Sequence, residues 1–198
     1  NTPLEESLAA ADKLVRDGKV MYIGMSNFAS WQICEGLWVA DRDRVAPPVV
    51  TQVVYNLLTR GIEHEFLPFC QKMDIGVTVY NPLAGGMLTG KHERETGPAK
   101  GTRFQLSSGY YNRYWQEANF DAMEQLLEIA EKAGKKPVAL AFQWLAAQEA
   151  VDSIIVGASR MEHLEENLSV WKGELGEDTL EACDRVWQAL RGPYFQYN

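Results

Sequence analysis

The sequence has no excess of positive charge: its 198 residues carry 19 Lys and Arg against 27 Asp and Glu, a formal net charge of −8. A surface of that sign repels a phosphodiester backbone and an anionic membrane, so neither nucleic acid nor membrane is expected as the main partner. A small anion in a local pocket stays compatible with it. Cysteine is scarce and scattered. Cys34, Cys70 and Cys183 form an odd set with no C-x-x-C spacing, which excludes a disulfide framework and points to reduced thiols in the cytoplasm. The three histidines, His64, His92 and His163, are also scattered, and no metal-ligand spacing appears. There is no run of 18 apolar residues and no signal peptide, so no membrane span or secretion is expected. What is present is globular: 46% hydrophobic and 23% charged residues suffice for one domain with a real core.

Along the chain, Leu4, Leu8, Ala11, Leu14 and Val15 recur at helical spacing up to Asp17, with Thr2 as expected N-cap, Pro3 at the first helical position and Glu5 as the capping-box acid. A chain opening on a capped helix with no leader reads as cut from something longer. VMYIGM (20–25) predicts a buried strand, and Ser30 is expected to cap a helix to about Asp43. VVTQVVYN (49–56) predicts a second strand, 62–73 a helix, and IGVTVYNPL (75–83) a third strand stopped by Pro82. Residues 84–116 read as one long loop. Helices follow over about 119–133 and from Pro137, then a fourth strand, VDSIIVGAS (151–159), and helices over 160–171 and 177–190 before an irregular tail. Strands separated by helices imply a parallel sheet with right-handed crossovers. A doubly wound sheet works with four strands, whereas a (β/α)8 barrel needs eight strands and about 250 residues. Four strands behind a leading helix suit half a barrel, although four alone leave two open edges.

One stretch poses a sharper question. GGMLTGKH (85–92) fits a phosphate loop in all but its last letter, where His92 replaces the hydroxyl that holds magnesium. A true phosphate loop runs straight into a helix, but HERETGPAKGTRF follows Lys91, and Gly97-Pro98 and Gly101 forbid a long one. A triphosphate site is therefore not expected. Gly85 and Gly86 lack side chains, so their amides can approach an anion of another kind; a simple glycine turn is the plain alternative. Ser26-Asn27, Gln52, Tyr80 and Gly157-Ala158-Ser159 all fall at or beside C-terminal strand ends, where parallel α/β folds bind ligands. Amides and hydroxyls beside one aromatic suit a flat ring bearing an amide. Gln52, polar inside an apolar run, is expected either to face a ligand or to be satisfied in the core.

These residues resemble the aldo-keto reductase family, specifically its C-terminal half. GKVMYIGMSNF (18–28), TQVVYNLL (51–58), VTVYNPLAGGMLTGK (77–91) and IIVGASRMEHLEENL (154–168) are similar to the family's fifth to eighth barrel strands in order, with Asn81 where a serine is usual. The resemblance implies an α/β fold that is the C-terminal half of a (β/α)8 TIM barrel, with 1–198 as a single domain. It also implies a cofactor, NADPH with NADH as the alternative. Ser26, Asn27 and Gln52 would hydrogen-bond the nicotinamide carboxamide and Tyr80 would stack on the ring. Leu83, Gly85 and Met87 would line the diphosphate through their backbone, with Lys91 near it and Asn81 and Pro82 in the same stretch. Arg103 would fold over the cofactor. Gly157 and Ser159 would lie near the adenosine ribose, and Glu166 and Asn167 would face the adenine. Many members carry a lysine at the position of Gly157 and an arginine at that of His163, both meeting a 2′-phosphate; Arg160 is the expected compensation.

The family's catalytic aspartate, tyrosine, lysine and histidine lie on the first four strands, so no residue here is assigned as catalytic, and neither Tyr55 nor Tyr80 matches the acid tyrosine. The implied activity is NADPH-dependent reduction of a small aldehyde or ketone, this chain supplying the cofactor half and inactive by itself. The missing N-terminal half or another copy is the expected protein partner. The alternative is a non-catalytic cofactor-sensing subunit like the potassium-channel β subunits. Trp115, Tyr194 and Phe195 are candidate pocket-wall residues, with ordinary packing as the plain alternative.

Overall fold

The computed structural model describes residues 2–171 and 173–192. They fall into two compact units. One comprises 2–54, 61–80 and 149–154; the other comprises 55–60, 81–148, 155–171 and 173–192.

The first unit is an α/β layer. Helix α1 (Leu4–Arg16) leads to β1 (Ile23–Ser26), α2 (Ser30–Asp43), β2 (Pro48–Val54), α3 (Phe66–Lys72), β3 (Gly76–Tyr80) and β4 (Ser153–Ile154). Glu5 and Glu6 sit in the first turn of α1 and Lys13 and Arg16 near its end, the arrangement the helix dipole favours. The expected Thr2 cap is not formed: Pro3 occupies the N-cap position and no side chain caps the helix. Nor does Ser30 cap α2. The Gln32 Oε1 accepts from the Ala29 N–H at 2.9 Å instead, and the Ser30 hydroxyl donates to the Glu65 carboxylate at 2.5 and 2.6 Å.

All strand pairs are parallel, in the order β1-β2-β3-β4. A doubly wound sheet reverses strand order at a switch point; this one does not. The strands alternate rather than bury both faces. Met25, Thr51, Val53, Val77 and Val79 are buried, and α2 lies close over Met25, whose sulfur is 3.2 Å from where a Cβ on Gly36 would sit. The intervening residues Ser26 and Gln52 are exposed. β1 starts three residues later than expected, because Val20, Met21 and Tyr22 precede the ladder and are exposed. β4 is only two residues long, so Gly157 and Ser159 lie beyond it.

The second unit is helical. A 3-10 turn (Ala84–Thr89) precedes α4 (Arg103–Leu106), α5 (Ser108–Tyr114), α6 (Glu117–Lys132), α7 (Pro137–Ala146), α8 (Met161–Ser169) and α9 (Glu177–Arg191). Segment 84–116, expected as one long loop, thus holds a 3-10 turn and two short helices. Its irregular part is pinned by Arg94, which bonds Glu117, Asp121 and Glu124 on α6 at 2.9, 2.6 and 3.1 Å. The core centres on α7, buried throughout Val138–Leu145; its one polar residue there, Gln143, donates to the Val170 carbonyl at 2.8 Å. The buried Arg60 guanidinium lies 4.7 Å over the Trp144 ring and pairs with Asp184 at 2.7 Å, so its charge is not left uncompensated.

Candidate cofactor site

In the first unit the parallel register builds the site. Ser26 pairs with Gln52, Gln52 with Thr78 and Thr78 with Ser153, so one row of polar side chains crosses the sheet on the less covered face. A cleft of about 230 Å³ opens on this row, lined by Gly24, Met25, Ser26, Val50, Thr51, Gln52 and Thr78, none of them charged. Just past β1 the chain turns through Asn27 at φ 58°, a left-handed conformation that asparagine tolerates. There the Asn27 N–H donates to the Gln52 carbonyl at 3.1 Å. The turn aims the Asn27 carboxamide along the strand ends. Tyr80 Oη donates to Asn27 Oδ1 at 3.1 Å, Asn27 Nδ2 donates to Ser26 Oγ at 3.0 Å, and Ser26 Oγ donates to the Gln52 carbonyl at 3.0 Å. Ser26, Asn27, Gln52 and Tyr80, from three strand ends, are therefore in one hydrogen-bonded chain. An uncharged cleft lined by the Ser26 and Thr78 hydroxyls and the Gln52 carboxamide can hold a neutral group that both donates and accepts.

The second unit carries the turn after β3. Asn81 is left-handed at φ 64°, and its Oδ1 accepts from the Gly85 N–H at 2.7 Å. The Gly86 N–H donates to the Leu83 carbonyl at 2.8 Å. Both glycine amides are thus committed inside the turn, which corrects the expectation that they present themselves to an anion. Gly85 is glycine for another reason: with φ 70°, a Cβ there would lie 2.7 Å from the Tyr110 ring. Pro82 and Met87 are buried, while Lys91 and Arg103 are exposed, the Arg103 guanidinium resting 5.0 Å over the Tyr110 ring.

No helix follows Lys91 before Arg103, in line with the exclusion of a triphosphate loop. His92 instead packs edge-on against Phe104 and Trp115 at 4.8 and 5.5 Å. Burial, helped by the Lys91 charge, lowers its pKa to about 4. Trp115 contacts four rings, those of His92, Phe104, Tyr111 and Phe120, as a packing residue does. Tyr194 and Phe195 lie outside the described residues.

Also in this unit, Asn167 is buried and donates to the Gly157 carbonyl at 3.3 Å, Ser159 Oγ lies 3.3 Å from His163 Nδ1, and Glu166 pairs with Lys136 at 3.4 Å. Arg160 is exposed at the N-cap of α8. Tyr55, not assigned a catalytic role, is fully buried with its ring 5.1 Å from that of Trp144.

The model of the aldo/keto reductase family matches residues 1–188. The chain belongs to that family. It is 33% identical to an aldo-keto reductase of Pseudocercospora fijiensis over 98% of its length and 70% of the relative's. It is 34% identical to human aflatoxin B1 aldehyde reductase member 2, over 96% of this chain and 57% of that one. It is likewise 34% identical to a probable voltage-gated potassium channel subunit beta of Arabidopsis thaliana, over 85% of this chain and 52% of that one. The chain therefore spans between about half and 70% of the length of these relatives. Among its described residues no helix is long and apolar enough to cross a membrane.

Sequence reasoning missed four residues. Thr78 and Ser153 complete the polar row, and stepping back by two from Tyr80 along β3 would have found Thr78. Asn56 is fully buried beside the end of β2, and a polar letter in TQVVYNLL was its only signal. Tyr114, at the end of α5, had none, because its partners lie 33 to 58 residues away in sequence.

Proposed function

We propose that this chain is the nicotinamide-dinucleotide-binding part of an NADPH-dependent aldo-keto reductase that reduces aldehydes or ketones, corresponding to strands five to eight of a (β/α)8 barrel. The observation that carries the reading is the hydrogen-bonded chain Tyr80–Asn27–Ser26–Gln52, of which Ser26 and Gln52 line an uncharged cleft. The unreversed parallel strand order supports the barrel assignment.

The residues suit the group. A nicotinamide carboxamide presents two N–H donors and a carbonyl acceptor, and the Asn27 and Gln52 side-chain amides each offer acceptors and donors to match. Ser26 Oγ, already donating and accepting within the chain of bonds, has acceptor capacity left. Tyr80, half-buried and held through its hydroxyl, presents an aromatic ring beside them. When bound, the nicotinamide supplies the hydride that reduces a carbonyl carbon. These side chains fix its orientation without adding charge. The diphosphate is assigned to the backbone of Leu83–Met87 with Lys91, and the adenosine end to Gly157, Ser159, His163, Glu166 and Asn167, with Arg103 alongside. Since both glycine amides are committed and Tyr110 packs against Gly85, Lys91 would supply the donor there. No proton donor for the developing alkoxide is assigned to this chain.

The similarity to a potassium channel subunit favours a second reading, a cofactor sensor without turnover. Titration calorimetry with NADPH tests the first claim, and no heat of binding overturns both readings. NADPH oxidation assayed with aldehydes and quinones then separates them: turnover favours the reductase, binding without turnover the sensor. Native mass places the activity on this chain or on a longer one.

A further inference from the structure

We infer that Tyr114 is a positioning residue, whose hydroxyl fixes the turn after β3 on which the proposed diphosphate contact depends. The inference rests on the dinucleotide reading above. The Tyr114 side chain is 1% exposed, and its hydroxyl is the meeting point of three others. Asn81 Nδ2 donates to it at 2.8 Å and Asn56 Nδ2 at 3.2 Å, and Thr59 Oγ1 lies 3.4 Å away. All three groups donate to the phenol oxygen, the Thr59 hydroxyl at the longest distance, so Tyr114 serves here as a shared acceptor.

Each amide passes the constraint on. Asn81 Oδ1 holds the Gly85 N–H at 2.7 Å, and the Asn81 carbonyl takes the Ala84 N–H at 3.0 Å and Asn56 Nδ2 at 3.0 Å. Asn56 Oδ1 accepts from the Leu58 N–H at 3.0 Å, closing the turn after β2. Asn81 carries a left-handed backbone, which persists where surrounding contacts over-determine it. Tyr114 provides that determination from the end of α5, in the stretch whose letters predict only a loop. Without its hydroxyl the ring still packs, but the buried Asn56 amide and the half-buried Asn81 amide lose their shared acceptor.

The test is Tyr114→Phe, which keeps the ring. Amide hydrogen exchange on the unliganded protein is expected to quicken at Ala84 and Gly85 by about tenfold or more, while amides of β1 and β2 hold their rates. NADPH affinity is expected to weaken about tenfold, the effect of one buried hydrogen bond. Affinity for reduced nicotinamide riboside, which has no phosphate, should stay within about twofold, which general destabilisation would not spare. Asn81→Gly retains the left-handed backbone and breaks the same link, so adding Tyr114→Phe to it should cost no further NADPH affinity. Unchanged exchange at Gly85, or additive losses in the double variant, overturns the positioning role. Faster exchange in a protein whose wild type does not bind NADPH leaves the hydroxyl link standing and overturns its connection to a cofactor.

Discussion

Asn27 gives the most direct access to the proposed site. Its side chain does two things: it bridges Tyr80 and Ser26 at 3.1 and 3.0 Å, and it makes a left-handed turn at φ 58° tolerable. Alanine removes both. Placing alanine in the left-handed region costs about 1–2 kcal/mol of stability. In a protein of this size that shifts the melting temperature by about 2–8 °C. Losing a hydrogen bond to the nicotinamide carboxamide costs about 1–3 kcal/mol, or roughly 5- to 150-fold in the NADPH dissociation constant. Asn27→Gly separates the two effects, because glycine enters the left-handed region freely. The expected pattern is a large loss of affinity in both variants and a loss of melting temperature mainly in alanine. Calorimetric titration gives the affinity and differential scanning fluorimetry the stability. Unchanged NADPH affinity in Asn27→Gly would refute the assignment of this side chain to the nicotinamide.

The remaining expectations concern other parts of the molecule. Cys34 is exposed, whereas burial raises Cys70 to about 11 and Cys183 to about 12, so mass spectrometry after brief native iodoacetamide treatment should find Cys34 alkylated and the other two protected. His92 has its pKa lowered from 6.5 to about 4, so between those values the unfolded chain takes up a proton that the folded one refuses. Its contribution to stability is complete above pH 6.5 and is lost as pH falls towards 4, and His92→Phe should flatten the fall in melting temperature over that window. Gly85→Ala drives a Cβ to 2.7 Å from Tyr110 at a φ of 70°, so denaturant titration should show a loss of about 2 kcal/mol or more.

The sheet and its site differ in how far the letters reveal them. Short apolar runs between helical stretches announced the parallel strands, and Ser26, Asn27, Gln52 and Tyr80 stood out as polar or aromatic punctuation at their ends. Strand limits were less legible. Val20, Met21 and Tyr22 look like strand residues, and only the ladder's register excludes them. In β4 the apolar run outlasts its pairing with β3. Glycines gave an ambiguous signal: GG after β3 suggested amides open to a phosphate, yet both donate within their own turn. The helices at Arg103 and Ser108 were hidden by glycine and by their brevity. Tyr114 was invisible for a different reason: its role is set by residues brought to it through tertiary structure, and no local pattern encodes that.

The row formed by Ser26, Gln52, Thr78 and Ser153 has a consequence for how the chain finds its native alignment. Each strand donates one member, so no segment carries the feature alone. If β2 slid by a single position, Thr51 or Val53 would enter the row and Gln52 would be driven beneath α2, with a carboxamide to satisfy in an apolar layer. Three of these side chains, Ser26, Gln52 and Thr78, also line the cleft, so a substitution at Gln52 that reshapes the cleft also relaxes the constraint on pairing.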